Sequence, residues 1–418
     1  MIVRFCLYSV FKNLRFFEPF LVLYLLANAA AGGPELRYVQ VGALIGYQKW
    51  LTGMLEIPSG AATDRWGRRR ALILCFVCYA FAFPVFALSG GAGASQLVLL
   101  YAGMTLFAIG EAFRTGSHKA IMLDWLEESG RSEDATRVIG LTRFFSKTSA
   151  GLSSLAGGIL VYLTGRFDLL FWAATVPALF GIVVMYSYPR WLEGEQSRDP
   201  KSRRDLSWSG RVRALWAVPG TALLMLQSVV FESHVKVAQH YIQPFFKEGL
   251  QSHSVAIVGG AGALAVGIYY LVQDVLGGTA SLFAPRVQSW WGGAGRANRI
   301  SVLLAPILVV IVASALTQNW IGLVVTGFVL LATLQNVRRP VFVSLLNRSI
   351  DKPQRATTLS IESQARSWSF AVLAPTTGWV ADHYGLSSCL FLVAGLLVVG
   401  VVLELLQHRG TRGFGEVS

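Results

Sequence analysis

Charged residues are scarce in this sequence of 418 residues, where Asp, Glu, Lys and Arg together account for 14% of the chain. A typical soluble protein carries roughly 25% charged residues, and a soluble chain of this length would form about two or three domains with polar exteriors. The charged residues here are too few to cover such surfaces, whereas hydrophobic residues make up 54% of the sequence. The composition excludes an ordinary water-soluble enzyme and indicates that the lipid bilayer is the solvent.

Motifs of common catalytic and cofactor sites are also absent from the sequence. The chain has no GxxxxGK[ST] loop for ATP, no HExxH zinc motif and no GxSxG nucleophile elbow. Its four cysteines form no disulfide framework. The CxxC pair Cys75 and Cys78 lies in an apolar run, where buried cysteine packs as a small hydrophobic residue. We therefore predict no enzymatic activity, no metal and no cofactor.

Basic residues outnumber acidic ones, with 36 Lys and Arg against 23 Asp and Glu, which gives a formal net charge of +13. The excess is concentrated in short gaps between apolar stretches, for example at residues 68–70 and 198–213. Basic residues in short loops are retained on the cytoplasmic side of a membrane. The positive charge therefore indicates membrane topology, and we predict no nucleic-acid partner.

Twelve stretches are apolar and long enough to cross a bilayer, which takes about 20 residues of helix. A polar, serine-containing segment separates the first six stretches from the last six. The sequence thus predicts an all-α membrane protein with an N-terminal six-helix bundle (1–188), a cytoplasmic linker (189–218) and a C-terminal six-helix bundle (219–418). The predicted spans are 7–30, 39–62, 71–89, 97–122, 138–163, 169–188, 219–245, 258–282, 300–318, 321–346, 357–381 and 386–406.

The loops on the two sides of these spans differ in charge. With both termini in the cytoplasm, the inner gaps hold nearly all of the loop arginines and lysines, and the outer gaps hold Arg37, Arg166 and Lys247. This asymmetry predicts a multi-pass protein of the cytoplasmic (inner) membrane with both termini cytoplasmic. An ionisable residue, Glu18, lies within the first span and is unusual in a signal peptide, so we predict an uncleaved first helix.

The two predicted bundles contain matching features, which indicates an internal duplication. A Gly-x6-Gly pattern and, before it, a pair of charges four residues apart occur in corresponding places of both halves. Transporters with duplicated bundles place such charges around one central site near the middle of the membrane. The matched residues are Gly158 with Gly378, Gly165 with Gly385, Arg143 with Glu362, Lys147 with Arg366, and Arg114 with Arg338.

The most specific motif follows the second predicted span and reads GAATDRWGRRR over residues 60–70. Gly60 permits a close helix approach, Gly67 permits a tight turn, and Asp64 is placed to pair with a neighbouring cation. The motif resembles the Gly-x3-Asp-Arg-x-Gly-Arg-Arg loop of the major facilitator superfamily, which also lies after the second of twelve helices. The resemblance implies two pseudo-symmetric six-helix bundles that give a central site alternating access to the two sides of the membrane. The gating residues that it implies are Gly60, Asp64, Arg65, Gly67, Arg68 and Arg69.

Several predicted spans carry ionisable residues at helical spacing. Glu111, Arg114 and His118 follow an i, i+3, i+7 pattern that places them on one face of the fourth span. Similar stripes run along the seventh and tenth spans. A charge that faces lipid costs at least about 2.5 to 3.5 kcal/mol by insertion scales, so these residues are expected to line a watery cavity.

These stripes predict a secondary transporter of a small charged organic solute, coupled to protons. Guanidinium groups bind carboxylates and phosphates through paired hydrogen bonds, and cations exceed acids among the candidates, so we predict an anionic or zwitterionic solute. The predicted solute-binding residues are Arg114, Arg143, Lys147, Lys236, Arg338, Arg366, Gln335 and Asn336. The predicted proton-coupling residues are Glu18, Glu111, Glu232, Glu362, His118 and His240.

Two further functions fit the sequence. One is a proton-driven multidrug efflux pump, and the other is a non-transporting membrane sensor or scaffold built on a transporter fold. Import and export, and symport, antiport and uniport, are open alternatives at this stage. Each charged group also has a simpler interpretation as a structural ion pair between helices. We predict a small-molecule solute, protons and membrane lipid as partners, and a monomeric protein.

Overall fold

The computed structural model of the protein describes residues 1–27, 36–115, 117–193, 220–251, 261–348, 350 and 355–413. The regular elements of these residues are all helical, and no strand occurs among them. A helix satisfies its own backbone hydrogen bonds, which is the requirement that a bilayer imposes on a spanning segment. The predicted all-α fold class is confirmed.

The α-helices are numbered here in chain order within the described residues. They are α1 Ile2–Asn13, α2 Leu21–Ala27, α3 Tyr38–Trp66, α4 Arg68–Ser89, α5 Gln96–Arg114, α6 Ser117–Glu128, α7 Ala135–Thr164, α8 Asp168–Tyr186, α9 Thr221–His240, α10 Ile242–Gln251, α11 Ala261–Trp290, α12 Ala294–Thr317, α13 Ile321–Arg348 and α14 Arg355–Gly413.

Seven helical runs in the described residues are long and apolar enough to cross a membrane, with mean hydropathies between 1.3 and 2.8. The most apolar run, Thr358–Gln407, contains all of the last two predicted spans except residue 357. Its helix passes through Gly385, whose φ of 83° and ψ of 169° are not helical and mark the turn between those spans. The predicted gap between residues 381 and 386 therefore coincides with a real change of direction.

The first predicted span is interrupted rather than continuous. α1 ends at Asn13, and a 3-10 turn over Glu18–Phe20 precedes α2. Pro19 lies in this turn and lacks the N–H that an uninterrupted helix would need at that position. The prediction of one helix over 7–30 is therefore wrong, and the break carries the charged residues Arg15 and Glu18.

The fourth predicted span is also interrupted. α5 ends at Arg114, and Thr115 has the extended backbone angles φ −60° and ψ 120° before α6 begins at Ser117. The prediction that Glu111, Arg114 and His118 share one helix face is wrong for His118, because the helical register does not continue through this break.

The contacts of the chain divide it into two compact units. The first contains the described residues of Met1–Ser202 and Gln243–Val275, and the second contains those of Arg203–Ile242 and Leu276–Ser418. A segment of the second half of the sequence thus packs with the first half. The predicted linker, 189–218, lies outside the described residues from position 194 onwards, and the division at that linker stays a prediction.

Aromatic packing fixes the first unit around the interrupted helix. The ring of Phe17 stacks on Phe171 at a centroid distance of 4.7 Å, and Tyr24 meets the same ring edge-on at 4.7 Å. The Tyr24 hydroxyl donates a hydrogen bond to the carbonyl of Phe86. Large aromatic side chains contribute much of the packing energy of a core, so this cluster holds both flanks of the break in place.

Small residues bring α7 and α11 together within the first unit. A Cβ added to Gly158 would lie 2.8 Å from the carbonyl oxygen of Ala263, and one added to Gly267 would lie 2.7 Å from that of Ser154. Backbones that approach this closely leave no room for side chains, and close van der Waals packing is a main source of helix association in lipid. Both glycines are therefore required by the packing.

We expect Gly158→Ala to destabilise the protein by about 1–3 kcal/mol, because the new methyl group would meet backbone atoms that must move. Gly140→Ala is the matched control on the same helix, since a Cβ there meets nothing within 4 Å. Thermal unfolding of the detergent-purified proteins measures both effects. Equal unfolding temperatures for the two variants would contradict the close approach.

Candidate solute and proton sites

Arg15 lies in the break after α1 and reaches across to α4 and α5. Its side chain is buried, with its Nη2 2.5 Å from Oε1 of Glu111 and 2.8 Å from the hydroxyl of Tyr79. The guanidinium carbon also lies over the ring of Phe107 at 5.0 Å. The interruption of the helix places this cation inside the unit, where an acid and two aromatic rings surround it.

Glu111 accepts contacts on both carboxylate oxygens. Nη2 of Arg114 lies 2.6 Å from its Oε2, and the Tyr79 hydroxyl donates to its Oε1. Two guanidinium groups thus face one buried carboxylate. Glu18 lies 3.8 Å from Arg15 but is 65% exposed and adds little compensation. The Nε of Arg15 is buried without a hydrogen-bond partner, so this cluster has positive charge and donor capacity in excess.

His118 lies away from this cluster, in α6. Its ring stacks on Tyr8 at a centroid distance of 3.6 Å and its Nε2 lies 3.1 Å from the hydroxyl of Tyr188. Phe5 meets the imidazole edge-on at 5.7 Å. The helix break after Arg114 thus separates two residues that the sequence placed on one face, and aromatic rings surround the histidine.

Two predicted cations lie on α7. Arg143 is exposed and makes no ion pair with any described residue. Nζ of Lys147 lies 2.7 Å from Oδ1 of Asp274, which belongs to α11. Asp274 was not among the predicted site residues. Asp274 is a charged residue in the apolar sequence of the eighth predicted span, and charges in such spans commonly mark functional sites. This pattern would have identified it.

In the second unit, Arg338 of α13 is the most deeply buried of the predicted solute-binding cations. Its side chain is 0% exposed, its Nη1 lies 3.3 Å from Oε1 of Glu232, and its guanidinium lies 4.2 Å from the ring of Phe231. Its Nε and Nη2 are buried without a hydrogen-bond partner. Buried donors are nearly always paired in proteins, so two open ones on one side chain mark a place for an acceptor.

Amide side chains connect the other predicted residues of this site. Nε2 of Gln335 donates to Oε2 of Glu232 at 2.8 Å, and Oε1 of Gln335 accepts a hydrogen bond from Gln239 at 3.0 Å. Lys236 is exposed on α9, and the half-buried His240 meets the ring of Phe370 edge-on at 5.5 Å. The polar stripe of the seventh predicted span thus lies on α9. Two of its residues, Glu232 and Gln239, contact Gln335 of α13.

Asn336 has a local role. Its Nδ2 donates to the carbonyl oxygen of Ala332 at 2.9 Å, and a Cβ at Gly277 would lie 2.7 Å from the same nitrogen. The side chain therefore packs against α11 and is turned to its own helix backbone. Its assignment to solute binding stays a prediction.

Glu362 is the centre of a second ion-pair cluster in this unit. Arg339 binds both of its oxygens, at 2.8 and 3.0 Å, and Nε of Arg366 lies 2.9 Å from Oε1. The hydroxyl of Ser228 donates to the same carboxylate at 2.9 Å. Arg339 was missed by the sequence analysis, although it follows Arg338 directly and shows the same signal of a charge within an apolar span.

The loop motif over residues 60–70 has distinct contacts. Gly67 has φ 97° and ψ 140° and makes the turn between α3 and α4, as predicted. Arg68 forms an ion pair with Asp124 at the end of α6. Arg69 is buried and donates to the carbonyls of Met185 and Tyr186 at 3.1 and 3.0 Å.

Three residues of the motif remain to be placed. A Cβ at Gly60 would meet nothing within 4 Å, so the predicted close helix approach at this glycine is wrong. Arg65 is exposed. The side chain of Asp64 lies outside the described part of the structure.

A buried polar cluster that the sequence analysis missed lies at one end of α9, α12 and α14. Glu404 accepts hydrogen bonds from Gln227 and from Asn298, and Arg299 lies 3.2 Å from its Oε1. Gln227 and Asn298 also bond to each other at 2.9 Å. Glu404 falls within the twelfth predicted span, so an acid in an apolar run was again the available signal.

The fold resembles those of solved membrane transporters over nearly the whole chain. A mutant of the nucleoside transporter NupG superposes with a TM-score of 0.78 at 13% identity, covering 97% of this chain and 99% of that one. The D-xylose-proton symporter gives a TM-score of 0.70 at 14% identity, covering 97% and 95%. A bacterial homologue of the human lysosomal transporter Spinster gives 0.70 at 15% identity, covering 98% and 95%. These similarities define the fold as that of a membrane transporter.

The sequence comparison identifies the family. A model of the Major Facilitator Superfamily matches residues 1–330, and the chain belongs to that superfamily. It is thus a multi-pass membrane protein and a transporter of the secondary type rather than an enzyme. A curated relative, the Na(+), Li(+), K(+)/H(+) antiporter of Planococcus maritimus, is 26% identical over 175 residues. That match covers 39% of this chain and 40% of the relative, so the chain spans well under half of the relative's length.

We expect Glu362→Gln to destabilise the protein by about 3–5 kcal/mol, because it leaves Arg339 and Arg366 without their buried counter-charge. Glu18→Gln is the matched control, since its side chain is 65% exposed and its loss should change stability by less than about 0.5 kcal/mol. Thermal unfolding in detergent compares the two. A loss of stability in Glu18→Gln as large as in Glu362→Gln would contradict the assigned difference in burial.

Proposed function

We propose that the protein transports a small anionic or zwitterionic organic solute across the cytoplasmic membrane by alternating access, and that protons drive the transport. The observation that carries this proposal is the fully buried guanidinium of Arg338, whose Nε and Nη2 lack hydrogen-bond partners. An arginine presents two parallel N–H groups that fit a carboxylate or phosphate. An anionic solute group is the acceptor that best fits these two N–H donors.

Charge balance within each unit supports an anionic solute. In the first unit, Arg15 and Arg114 face the single buried carboxylate Glu111. In the second unit, three arginines face Glu232 and Glu362. The Glu111 and Glu362 clusters therefore each have one guanidinium more than carboxylates, whereas Arg338 and Glu232 pair one to one. Uncompensated charge is costly at this depth, and an anionic solute lowers that cost where a cationic solute would raise it.

The other predicted solute-binding residues take secondary places in this proposal. Gln335 is held between Glu232 and Gln239, and it shares the Glu232 carboxylate with Arg338 of the same helix. Arg366 and Lys236 contribute positive charge to the second unit. Lys147 forms an ion pair with Asp274. Lys147 can therefore contact the solute only if this ion pair separates during the transport cycle.

Among the predicted proton-coupling residues, we assign proton binding to Glu232. Glu111 and Glu362 each contact two guanidinium groups, whereas Glu232 has one, at 3.3 Å, and an uncharged amide. Protonation of Glu232 therefore breaks a single ion pair and frees Arg338 further for the solute. His118 and His240, packed against aromatic rings, are given no proton-coupling step here.

A second candidate function is proton antiport of a monovalent cation, which the name of the Planococcus maritimus relative favours. The excess of arginine in both clusters weighs against a cationic solute, as it does against multidrug efflux of amphipathic cations. The charge of the ligand that the protein binds therefore distinguishes anion transport from cation antiport and from multidrug efflux. We retain the predicted cytoplasmic termini, inner-membrane location and monomeric state as parts of the proposal.

A thermal-shift screen of the detergent-purified protein tests the ligand class. We expect carboxylates, phosphates or amino acids to raise the unfolding temperature by about 2–4 °C at saturating concentration, because a ligand that binds only the folded state stabilises it. Arg338→Gln should abolish the shift, and the exposed Arg166→Gln, whose partner is Asp168, should retain it. Shifts given only by alkali cations or amphipathic cations would overturn the proposal.

Transport in proteoliposomes tests the coupling. We expect uptake of the ligand identified in the screen to collapse when the pH gradient is removed. Glu232→Gln should reduce gradient-driven uptake at least about tenfold while it keeps exchange of labelled for unlabelled ligand, since exchange needs no net proton movement. Glu128→Gln, at an exposed end of α6, is the control. Gradient-driven uptake by Glu232→Gln at the control rate would contradict the assignment.

A further inference from the structure

α7 and α11 meet along a row of small residues, which we call the α7–α11 seam. It is formed by Gly151, Ser154 and Gly158 on α7 and by Ala263, Gly267 and Leu271 on α11. A Cβ added to Gly151 would lie 2.9 Å from Cδ1 of Leu271, and the backbones at Gly158 and Gly267 are closer still. The seam is held by van der Waals contacts between closely fitting apolar groups, and each such contact is weak.

One charged contact continues the seam by a single turn. Lys147 precedes Gly151 by one helical turn, Asp274 follows Leu271 by one turn, and Nζ lies 2.7 Å from Oδ1. The side chains are 39% and 19% exposed, so water reaches the pair. A lysine ammonium is a point charge on a flexible stem and makes one contact here, unlike the two-point fork of Arg339 on Glu362.

Other titratable groups surround Asp274 in the same unit. Glu18, from the break after α1, interacts electrostatically with both Asp274 and Tyr270, and Glu18 itself lies 3.8 Å from Arg15. The Tyr270 hydroxyl accepts a hydrogen bond from Gln243 at 3.0 Å. Oε1 of Gln243 in turn accepts from the backbone N–H of Val22, at the start of α2. Asp274 therefore lies where α7, α11 and the interrupted first span come together.

We propose that Asp274 is a second proton-binding carboxylate of the transport cycle, which locks the α7–α11 seam through Lys147 when ionised and releases it when protonated. This inference rests on the proposed proton-coupled function. On protonation the proton resides on the Asp274 carboxyl group, Lys147 keeps its charge, and the ion pair becomes at most a neutral-acceptor hydrogen bond. The remaining seam contacts are those of small residues, which separate without breaking a further charge pair.

The direction of the pH effect follows from this assignment. At a pH where Asp274 is ionised the seam is closed, and it opens as the pH falls and the carboxyl group takes up a proton. Asp274→Asn, whose amide cannot ionise, should therefore remove the pH dependence and leave the seam open.

Reactivity of a cysteine placed in the seam tests the proposal without a known solute. Ser154→Cys is suited to this, since Ser154 is 3% exposed and its carbonyl faces Gly267. Gly140→Cys, at an exposed position of the same helix, is the matched control. The full-length detergent-purified protein, with its four native cysteines replaced by alanine, is labelled with a maleimide between pH 8 and pH 5. The ratio of the two labelling rates removes the pH dependence of thiol ionisation that the two cysteines share.

We expect this ratio to rise at least about fivefold on acidification, the factor that about 1 kcal/mol of lost ion-pair energy produces. In Asp274→Asn and Lys147→Met the ratio should be high at every pH, and in Asp274→Glu it should again depend on pH. A ratio in Asp274→Asn that still rises as the pH falls, or one that stays as low as in the parent at pH 8, would overturn the inference. Transport assays do not enter this result, so it is independent of whether the proposed solute class is right.

Discussion

The structure depends on one constraint: an ionised side chain inside a membrane must find its counter-charge on a neighbouring helix. Glu111 and Arg114 pair within α5, and Arg15, from the break in the first helix, joins them from another part of the chain. Glu232 and Glu362 are likewise compensated by arginines of α13 and α14. Three of these contacts, Arg15–Glu111, Arg338–Glu232 and Arg339–Glu362, join different segments of the chain, so they fix helix rotation at the same time as they prepare the chemistry of the site.

The same pairs differ in what they can do during a transport cycle. A carboxylate held by two guanidinium groups is a structural anchor, because removing or protonating it leaves two cations without their counter-charge. A carboxylate with one partner can change its charge at a lower cost. Glu362 and Glu111 belong to the first kind, and Glu232 and Asp274 to the second. The carboxylates with two guanidinium partners hold the helices in place. The carboxylates with one partner supply a small number of ion pairs that can break and re-form.

The sequence predicted the all-α fold and the transporter family, and it placed polar stripes on the seventh and tenth spans, because hydropathy, loop charge and helical spacing are local properties. It did not predict the breaks at residues 14–17 and at Thr115, which depend on how neighbouring helices compensate lost backbone bonds. It also missed Arg339, Asp274 and Glu404, although each is a charge within an apolar run. Which of many such charges become partners is decided by tertiary contacts, and spacing along one helix carries no information about them.

The interrupted first span also bears on how the chain enters the membrane. At 1.5 Å per residue, the twelve residues of α1 reach about 18 Å, well short of a hydrocarbon core of about 30 Å. α1 therefore does not span the bilayer by itself, and Arg15, which follows it, gains its buried partners Tyr79 and Glu111 only when α4 and α5 have been synthesised. The buried contacts of Arg15 can therefore form only after the fourth span has been synthesised, so the packing of the N-terminus is completed by helices that follow it in the chain.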